Sequence, residues 1–204
     1  MTNASFPISK KPTIIELFRS ISLQEWITAA VIAAALGVAY WAWTLVYDLL
    51  KPALKPIGLE YLTSGLWILA SVFLSDIIRK PGIALFASIL AAAVEGIITQ
   101  WGMSAIIYGL VQGIGAELVF AFFAYRAWSL PALCVAAGFS AFCSYLYDFV
   151  TLDYSSLSLG LNMLQSLSFI ASAVFLAAFL SRYLSNRLLK TGLLDNFLIA
   201  KTAP

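Results

Sequence analysis

Six apolar stretches, each close to the length of a membrane span, dominate this 204-residue chain. A helix that crosses the hydrocarbon core of a bilayer needs about 20 predominantly apolar residues. The stretches occupy residues 26–47, 61–75, 82–99, 104–125, 129–151 and 159–181. Charged residues make up only 11% of the chain, whereas a soluble domain carries about 25%. We therefore predict an all-α integral membrane protein with six transmembrane helices.

The distribution of basic residues predicts how this bundle is oriented. With the N-terminus in the cytoplasm, ten Lys and Arg residues fall on the inner side, and two, Lys51 and Lys55, fall on the outer side. The inner set is Lys10, Lys11, Arg19, Arg79, Lys80, Arg126, Arg182, Arg187, Lys190 and Lys201. Because basic residues are retained on the cytoplasmic side, both termini are predicted to be cytoplasmic in the cell membrane.

Three segments follow from this layout. Residues 1–25 form a cytoplasmic N-terminal segment, residues 26–181 the six-helix transmembrane domain, and residues 182–204 a cytoplasmic tail. Residues 1–11 have the character of a disordered start. Thr13 followed by Glu16 fits a capping box, which predicts a short helix lying at the membrane interface.

Three carboxylates, Glu95, Glu117 and Asp148, lie inside stretches that otherwise have the composition of membrane spans. Each costs about 2.5–3.5 kcal/mol on insertion scales, so such residues normally face the bundle interior or a water-filled cavity. In the predicted orientation, Glu95, Asp148 and Gln112 converge in the outer half of the membrane. Glu117 is deeper and about 140° around its helix from Gln112.

Aromatic residues supply the other part of a candidate pocket. The chain has six Trp and nine Tyr, and Trp41 and Trp67 fall within the outer halves of the first two spans. Carboxylates, an amide and aromatic faces together suit a small, flat, polar or cationic ligand. The alternative is an aromatic belt at the interface, with acids that reach the surface. Glu117 equally suits a buried hydrogen bond between helices.

The first span contains a pattern of small residues. Ala29, Ala33 and Gly37 recur every four residues, as do Ala30 and Ala34. Such faces let helices approach closely. The stripe predicts either a docking face for another membrane protein or close packing inside the bundle.

The residues that the chain lacks exclude several classes of function. It contains no His, which removes His-based zinc sites, haem ligation by His and Ser-His hydrolysis. It also contains no GxxxxGK[ST] loop for ATP, and its basic residues form no patch for nucleic acid. We predict no catalytic residue, no metal site and no cofactor.

Five local strings resemble a known family of membrane proteins. They are IRKPG at 78–82, VEG around Glu95, GLVQGIGAE at 109–117, SLP at 129–131 and YDF at 147–149. Together with six spans in about 200 residues and an alanine-rich first helix, they resemble the YkoE family. This family comprises substrate-binding S components of energy-coupling factor (ECF) vitamin transporters, a class of ABC transporter. GLVQGIGAE is the most specific string, and the similarity covers roughly residues 30–195.

The resemblance implies a ligand, partners and site residues. The ligand would be thiamine or its hydroxymethylpyrimidine precursor, captured from outside. The matching motif positions are Glu95, Gln112, Glu117, Tyr147 and Asp148, and Trp67 matches a Trp of the second helix. The alanine-rich face corresponds to the surface presented to the transmembrane coupling (T) subunit. Two ATPase subunits would hydrolyse ATP, so this chain itself would be no enzyme.

Other functions remain open at this point. A stand-alone secondary transporter for a small cationic or heteroaromatic solute would also need intramembrane acids, but neither broken helices nor inverted repeats are evident. A small membrane enzyme lacks the expected His or acidic metal motif. A structural membrane protein with incidental acids is the fourth alternative. The sequence does not choose between thiamine and its pyrimidine precursor.

Overall fold

The computed structural model describes residues 13–201, and every regular element in that range is helical. The α-helices are α1 Ile14–Arg19, α2 Leu23–Leu54, α3 Leu69–Ile78, α4 Ile83–Ile98, α5 Met103–Phe122, α6 Leu130–Thr151, α7 Leu159–Ala173, α8 Leu180–Leu189 and α9 Leu198–Lys201. Short 3₁₀ segments cover Lys55–Ile57, Glu60–Ile68 and Tyr154–Ser156, and a π-helical segment covers Val174–Phe179. The predicted disordered start, residues 1–11, lies outside the described residues.

Five continuous helical stretches are long and apolar enough to cross a membrane. They are Leu23–Ile57, Glu60–Ile78, Met103–Phe122, Leu130–Thr151 and Leu159–Leu189. The remaining apolar helix, α4, has 16 residues and is about 24 Å long. It packs between α2 and α5. The predicted all-α bundle is confirmed, with one span shorter than the rest.

The second span, Glu60–Ile78, lies at the centre of the bundle. All ten residues of α3 are buried, and the segment packs against α2, α4, α7 and α8. Around it, α5 packs on α6 and α6 packs on α7. Even the polar residues of α3, Ser71, Ser75 and Asp76, are buried, so none of its sides faces away from the protein.

Both N-terminal helices begin with a capping box. The predicted one, Thr13 with Glu16, is confirmed, and Ser22 with Glu25 forms a second at the start of α2. Glu25 also forms an ion pair with Lys80, whose Nζ lies 2.8 Å away and donates to the Ser20 carbonyl at 2.7 Å. These bonds fasten α1 to the bundle.

The sixth span does not end at residue 181. Its helix continues through the π-helical segment and α8 to Leu189. Leu194, Phe197 and Ile199 then pack back and are buried. Part of the predicted tail therefore packs in the folded core, and the predicted boundary of the transmembrane domain at residue 181 stays a prediction.

The small-residue stripe of α2 packs inside the chain. Ala29 and Ala33 are fully buried, and a Cβ at Gly37 would lie 2.5 Å from the Ala91 carbonyl oxygen of α4. The structure therefore contains the alternative of close packing inside the bundle, and a docking role for Ala29, Ala33 and Gly37 stays a prediction. Ala30 and Ala34 are half-buried beside this contact, and a docking role for them stays a prediction.

A tight backbone contact joins the centre of the bundle to the last span. A Cβ added to Gly65 would lie 2.2–2.4 Å from backbone atoms of Ser172 and Ala173. We expect Gly65→Ala to lower the free energy of unfolding by about 1–3 kcal/mol, because backbone atoms cannot rotate away. Thermal unfolding in detergent, followed by circular dichroism, measures this. Gly160→Ala in α7 is the control, since open space surrounds it; an equal loss in both variants would contradict the expectation.

Candidate functional site

A cavity of about 330 Å³ opens at the end of the bundle where α2, α4 and α6 finish and α5 begins. Its walls combine aromatic and charged side chains. The aromatic residues are Tyr40, Tyr47, Tyr61, Trp67, Trp101, Tyr108, Tyr154 and Phe169. The charged residues are Lys51, Lys55, Glu60, Glu95 and Asp148. Three carboxylates against two ammonium groups favour a ligand that carries positive charge or donates hydrogen bonds.

Glu95 is held in place near the C-terminal end of α4. Its side chain is buried, with 3% exposure. Oε1 accepts hydrogen bonds from Trp67 Nε1 at 2.6 Å and from Thr44 Oγ1 at 3.0 Å. Among the described residues, no hydrogen bond is made to Oε2. One carboxylate oxygen thus fixes the side chain, and the other is free to accept from a ligand in the cavity.

Asp148 lies across the cavity on α6 and is also buried. Tyr61 donates to Oδ2 at 2.7 Å, and Tyr108 donates to Oδ1. Both oxygens therefore accept from phenols of other helices. Asp148 therefore gives the cavity negative potential and holds two Tyr hydroxyl groups in place, whereas neither of its oxygens is left without a donor.

Glu60 is a third buried carboxylate, at the first position of the central span. Its Oε1 accepts from Gln165 Nε2 at 3.0 Å and from Tyr154 Oη at 3.2 Å. Burial, reinforced by the Glu60 and Asp148 charges, raises the pKa of Tyr154 to about 12, so this phenol keeps its proton at neutral pH. Gln165 and Asn162 both accept from Tyr145, and the network ties α7 to the cavity.

Aromatic rings form the wall near the mouth. Tyr47 packs edge-to-face against Trp67, with ring centroids 5.3 Å apart, and Lys51 Nζ lies 5.1 Å from the Tyr47 ring centre. On the opposite wall, Tyr61 stacks on Phe169 at 5.1 Å. Such faces can stack on a flat ring and attract a cation.

The structure brings four of the predicted binding residues together in this cavity: Glu95, Gln112, Asp148 and Trp67. Two others lie nearby without lining it. Trp41 of α2 is 41% exposed and does not line the cavity. Tyr147 packs edge-to-face against Tyr108 at 5.2 Å. Neither ring lines the cavity, and the predicted ligand contacts of Trp41 and Tyr147 stay predictions.

Glu117 lies at the other end of the bundle. Its oxygens accept from the backbone N–H groups of Gly82 at 2.6 Å and Ala84 at 3.1 Å, and from Tyr125 Oη at 2.6 Å. It therefore caps the start of α4, where the helix leaves N–H groups without partners. Glu117 does not line the cavity, and the structure contains the alternative, a hydrogen bond between helices; its predicted substrate contact stays a prediction.

We expect Glu117→Gln to destabilise the protein without weakening ligand binding. The amide keeps the shape but loses the charge that the N–H groups of α4 favour, at a cost of about 1–2 kcal/mol. Thermal unfolding and a ligand titration of the same sample measure the two effects. Weaker binding by the folded variant would return Glu117 to the site.

Sequence reasoning missed Glu60, Tyr108 and Tyr154. Glu60 lies at the boundary of an apolar stretch, where an acid normally meets water. Tyr108 could have been predicted from the sequence, because it precedes Gln112 by four residues and therefore lies on the same face of the helix. Tyr154 lies in the connection after α6, and only the tertiary structure places it over Glu60.

Similarity to known proteins shows the family to which this chain belongs. A family model described as "ABC-type cobalt transport system, permease component" matches residues 24–143. The HMP/thiamine permease protein YkoE of Bacillus subtilis (strain 168) is 33% identical over 184 residues, covering 90% of this chain and 92% of that protein. A solved crystal structure of an S-component of an ECF transporter matches with a TM-score of 0.85 and 33% identity, covering 89% of this chain and 92% of that one. The chain belongs to the YkoE family of ECF S components.

Membership of the YkoE family confirms the resemblance carried by the five short strings. The matched relatives are transport components rather than enzymes. The description of the broader family model names cobalt. In the part of the chain from Thr13 to Lys201, no group of three or more His, Cys, Asp or Glu residues is placed to hold a metal ion.

Proposed function

We propose that this protein is the substrate-binding subunit of an ECF-type importer and captures thiamine or its hydroxymethylpyrimidine precursor. The observation that carries the proposal is the pairing of Glu95, whose Oε2 is available, with aromatic walls in a buried cavity. An aminopyrimidine offers N–H donors to a carboxylate and a flat face to aromatic rings. The thiazolium of thiamine adds a cation, which the excess of carboxylates in the cavity would balance.

Uptake in this proposal needs partner subunits. S components act with a transmembrane T subunit and two ATPases, and this chain contains no ATP-binding P-loop. ATP hydrolysis is therefore assigned to the partners. The half-buried Ala30 and Ala34, on the flank of α2, remain candidates for the T-subunit contact.

A calorimetric titration of purified protein tests the ligand. We expect heat of binding with micromolar or lower Kd for thiamine, for hydroxymethylpyrimidine, or for both, together with a change in tryptophan fluorescence because Trp67 and Trp101 line the cavity. Uracil is the control ligand, since it is a flat pyrimidine without an amino group or positive charge. No binding of either vitamin compound, or equal binding of uracil, would contradict the proposal.

A stand-alone secondary transporter is the second candidate, because three buried carboxylates could also bind protons or Na⁺. Reconstitution into proteoliposomes separates the two functions. An S component should bind thiamine without moving it across the membrane, whereas a secondary transporter should accumulate it unaided along an ion gradient.

The ten-to-two distribution of basic residues predicts cytoplasmic termini and a cavity open to the outside. In a background with Cys134 and Cys143 replaced by Ser, we expect a Cys at Ile57 to react with an impermeant maleimide in whole cells. Ile57 is 58% exposed near the cavity mouth. A Cys at the exposed Asn186, at the other end, should react only after lysis. Labelling of position 186 but not of position 57 in whole cells would contradict the predicted orientation.

A further inference from the structure

A second cavity, of about 620 Å³, lies at the opposite end of the bundle from the cavity that contains Glu95 and Asp148. It is formed where α3 and α5 end, α6 begins and α8 passes. Three arginines line it: Arg79, Arg126 and Arg182. The lining residues among those that the structure describes include no Asp or Glu. These three arginines belong neither to the first cavity nor to the hydrogen bonds that cap α4.

Two of the three arginines pair with one buried acid. Asp76 is fully buried behind them, and its Oδ1 lies 3.3 Å from both Arg79 Nη2 and Arg182 Nη2. One carboxylate is thus shared by two guanidinium groups, and Arg126 adds a third charge on the exposed rim. Glu117, which accepts from the cavity residue Tyr125, is committed to the N–H groups that start α4.

The geometry of the arginines is set by a tryptophan. The Arg79 guanidinium lies over the Trp128 ring at 5.8 Å, and Arg182 Nη2 donates to the Trp128 carbonyl. Trp128 Nε1 in turn donates to the Tyr125 carbonyl at 2.9 Å. Two of the guanidinium groups are therefore ordered before any ligand arrives, which lowers the entropy cost of binding.

The remainder of the cavity is apolar. Leu17 of α1, Leu130 of α6, Leu189 of α8, and Leu198 and Ile199 of α9 complete its wall. A soluble phosphate compound would use the arginines but not these side chains. A phospholipid has an anionic phosphate next to glycerol and acyl carbons, and so matches both halves of the lining.

We propose that this cavity binds the headgroup of an anionic phospholipid, with its phosphate at Arg126 and Arg182 and its acyl carbons along the leucines. Arg guanidinium groups suit phosphate oxygens in geometry and charge. Basic pockets between helices at the cytoplasmic membrane surface are suited to anionic headgroups. The charge asymmetry of the chain predicts that this end of the bundle is the cytoplasmic one. The first turn of α6, entered through Ser129, adds its positive dipole end to the cavity.

Thermal unfolding and native mass spectrometry of the full chain in detergent test the proposal. The probes are phosphatidylglycerol, phosphatidylcholine and inorganic phosphate. We expect phosphatidylglycerol to raise the unfolding midpoint and to stay bound in the mass spectrum, and the other two to do neither. Arg126→Gln should weaken the apparent phosphatidylglycerol affinity about fivefold.

Arg187→Gln is the matched control, since Arg187 is an exposed arginine on α8 outside the cavity lining. It should leave phosphatidylglycerol binding unchanged. Equal weakening in both variants would reduce the effect to general surface charge and overturn the site. Stabilisation by phosphatidylcholine, or by inorganic phosphate alone, would also overturn the assignment to an anionic lipid. Thiamine titrations of the same variants should be unaffected, so this test is independent of the vitamin pocket.

Discussion

Replacing Glu95 by Gln is expected to weaken thiamine binding by about 1.5–3 kcal/mol, roughly a 10- to 150-fold rise in Kd. The variant keeps the size of the side chain and its position beside Trp67 and Thr44. It removes the charge and replaces one acceptor oxygen with an NH₂ group. A ligand that donates to Oε2 then meets a donor instead of an acceptor. Isothermal titration of the purified variant gives the change in Kd directly.

Glu16→Gln is the control for this experiment. Glu16 is an exposed acid of the α1 capping box, outside the cavity lining, so its loss should not change the Kd. The unfolding midpoint of Glu95→Gln without ligand shows whether the fold is kept. An unchanged Kd in a folded variant would remove Glu95 from the site.

Replacing Ala33 by Trp is expected to destabilise the isolated protein by more than about 3 kcal/mol. Ala33 is fully buried on the face of α2 that packs on α4. An indole at this position must push the two helices apart. This movement would also disturb Thr44 and Glu95, which bond across the same interface. The measurement is the yield of folded protein and its unfolding midpoint.

Ala35→Trp is the matched control, because Ala35 is on the same helix but exposed. It should fold normally and bind thiamine normally. If Ala33→Trp folded and bound ligand like the parent but abolished uptake in the assembled transporter, the stripe would be a docking face after all. That outcome would mean that α2 and α4 separate in the complex.

The sequence alone was sufficient to predict the helical membrane bundle and its capped N-terminal helix. Apolar length and the residues Thr13 and Glu16 are local properties, so no knowledge of the tertiary structure is needed to interpret them. The prediction that Glu95 and Asp148 lie in a cavity also came from local information. An acid among apolar residues is costly wherever its helix packs, so a polar environment has to be supplied.

Other site residues could not be assigned in this way. Glu95 and Glu117 look equivalent in the sequence, each a single acid in an apolar span. The rotation of each helix and the neighbour that it meets decide that Glu95 faces Trp67 while Glu117 caps α4. Glu60 lines the cavity and accepts from Gln165, far along the chain, and only the tertiary structure brings these two residues together.

The alanine stripe of α2 shows most clearly what the sequence determines and what the tertiary structure determines. The spacing of Ala29, Ala33 and Gly37 determines that some helix can approach this face closely, because small side chains leave room for a backbone. Which helix does so depends on contacts between segments distant in the sequence. The tertiary structure places α4 there, with the Ala91 carbonyl against Gly37. The sequence thus determined the bundle and the presence of buried acids, whereas the packing of α2, α4 and α5 decided which side chains share the cavity.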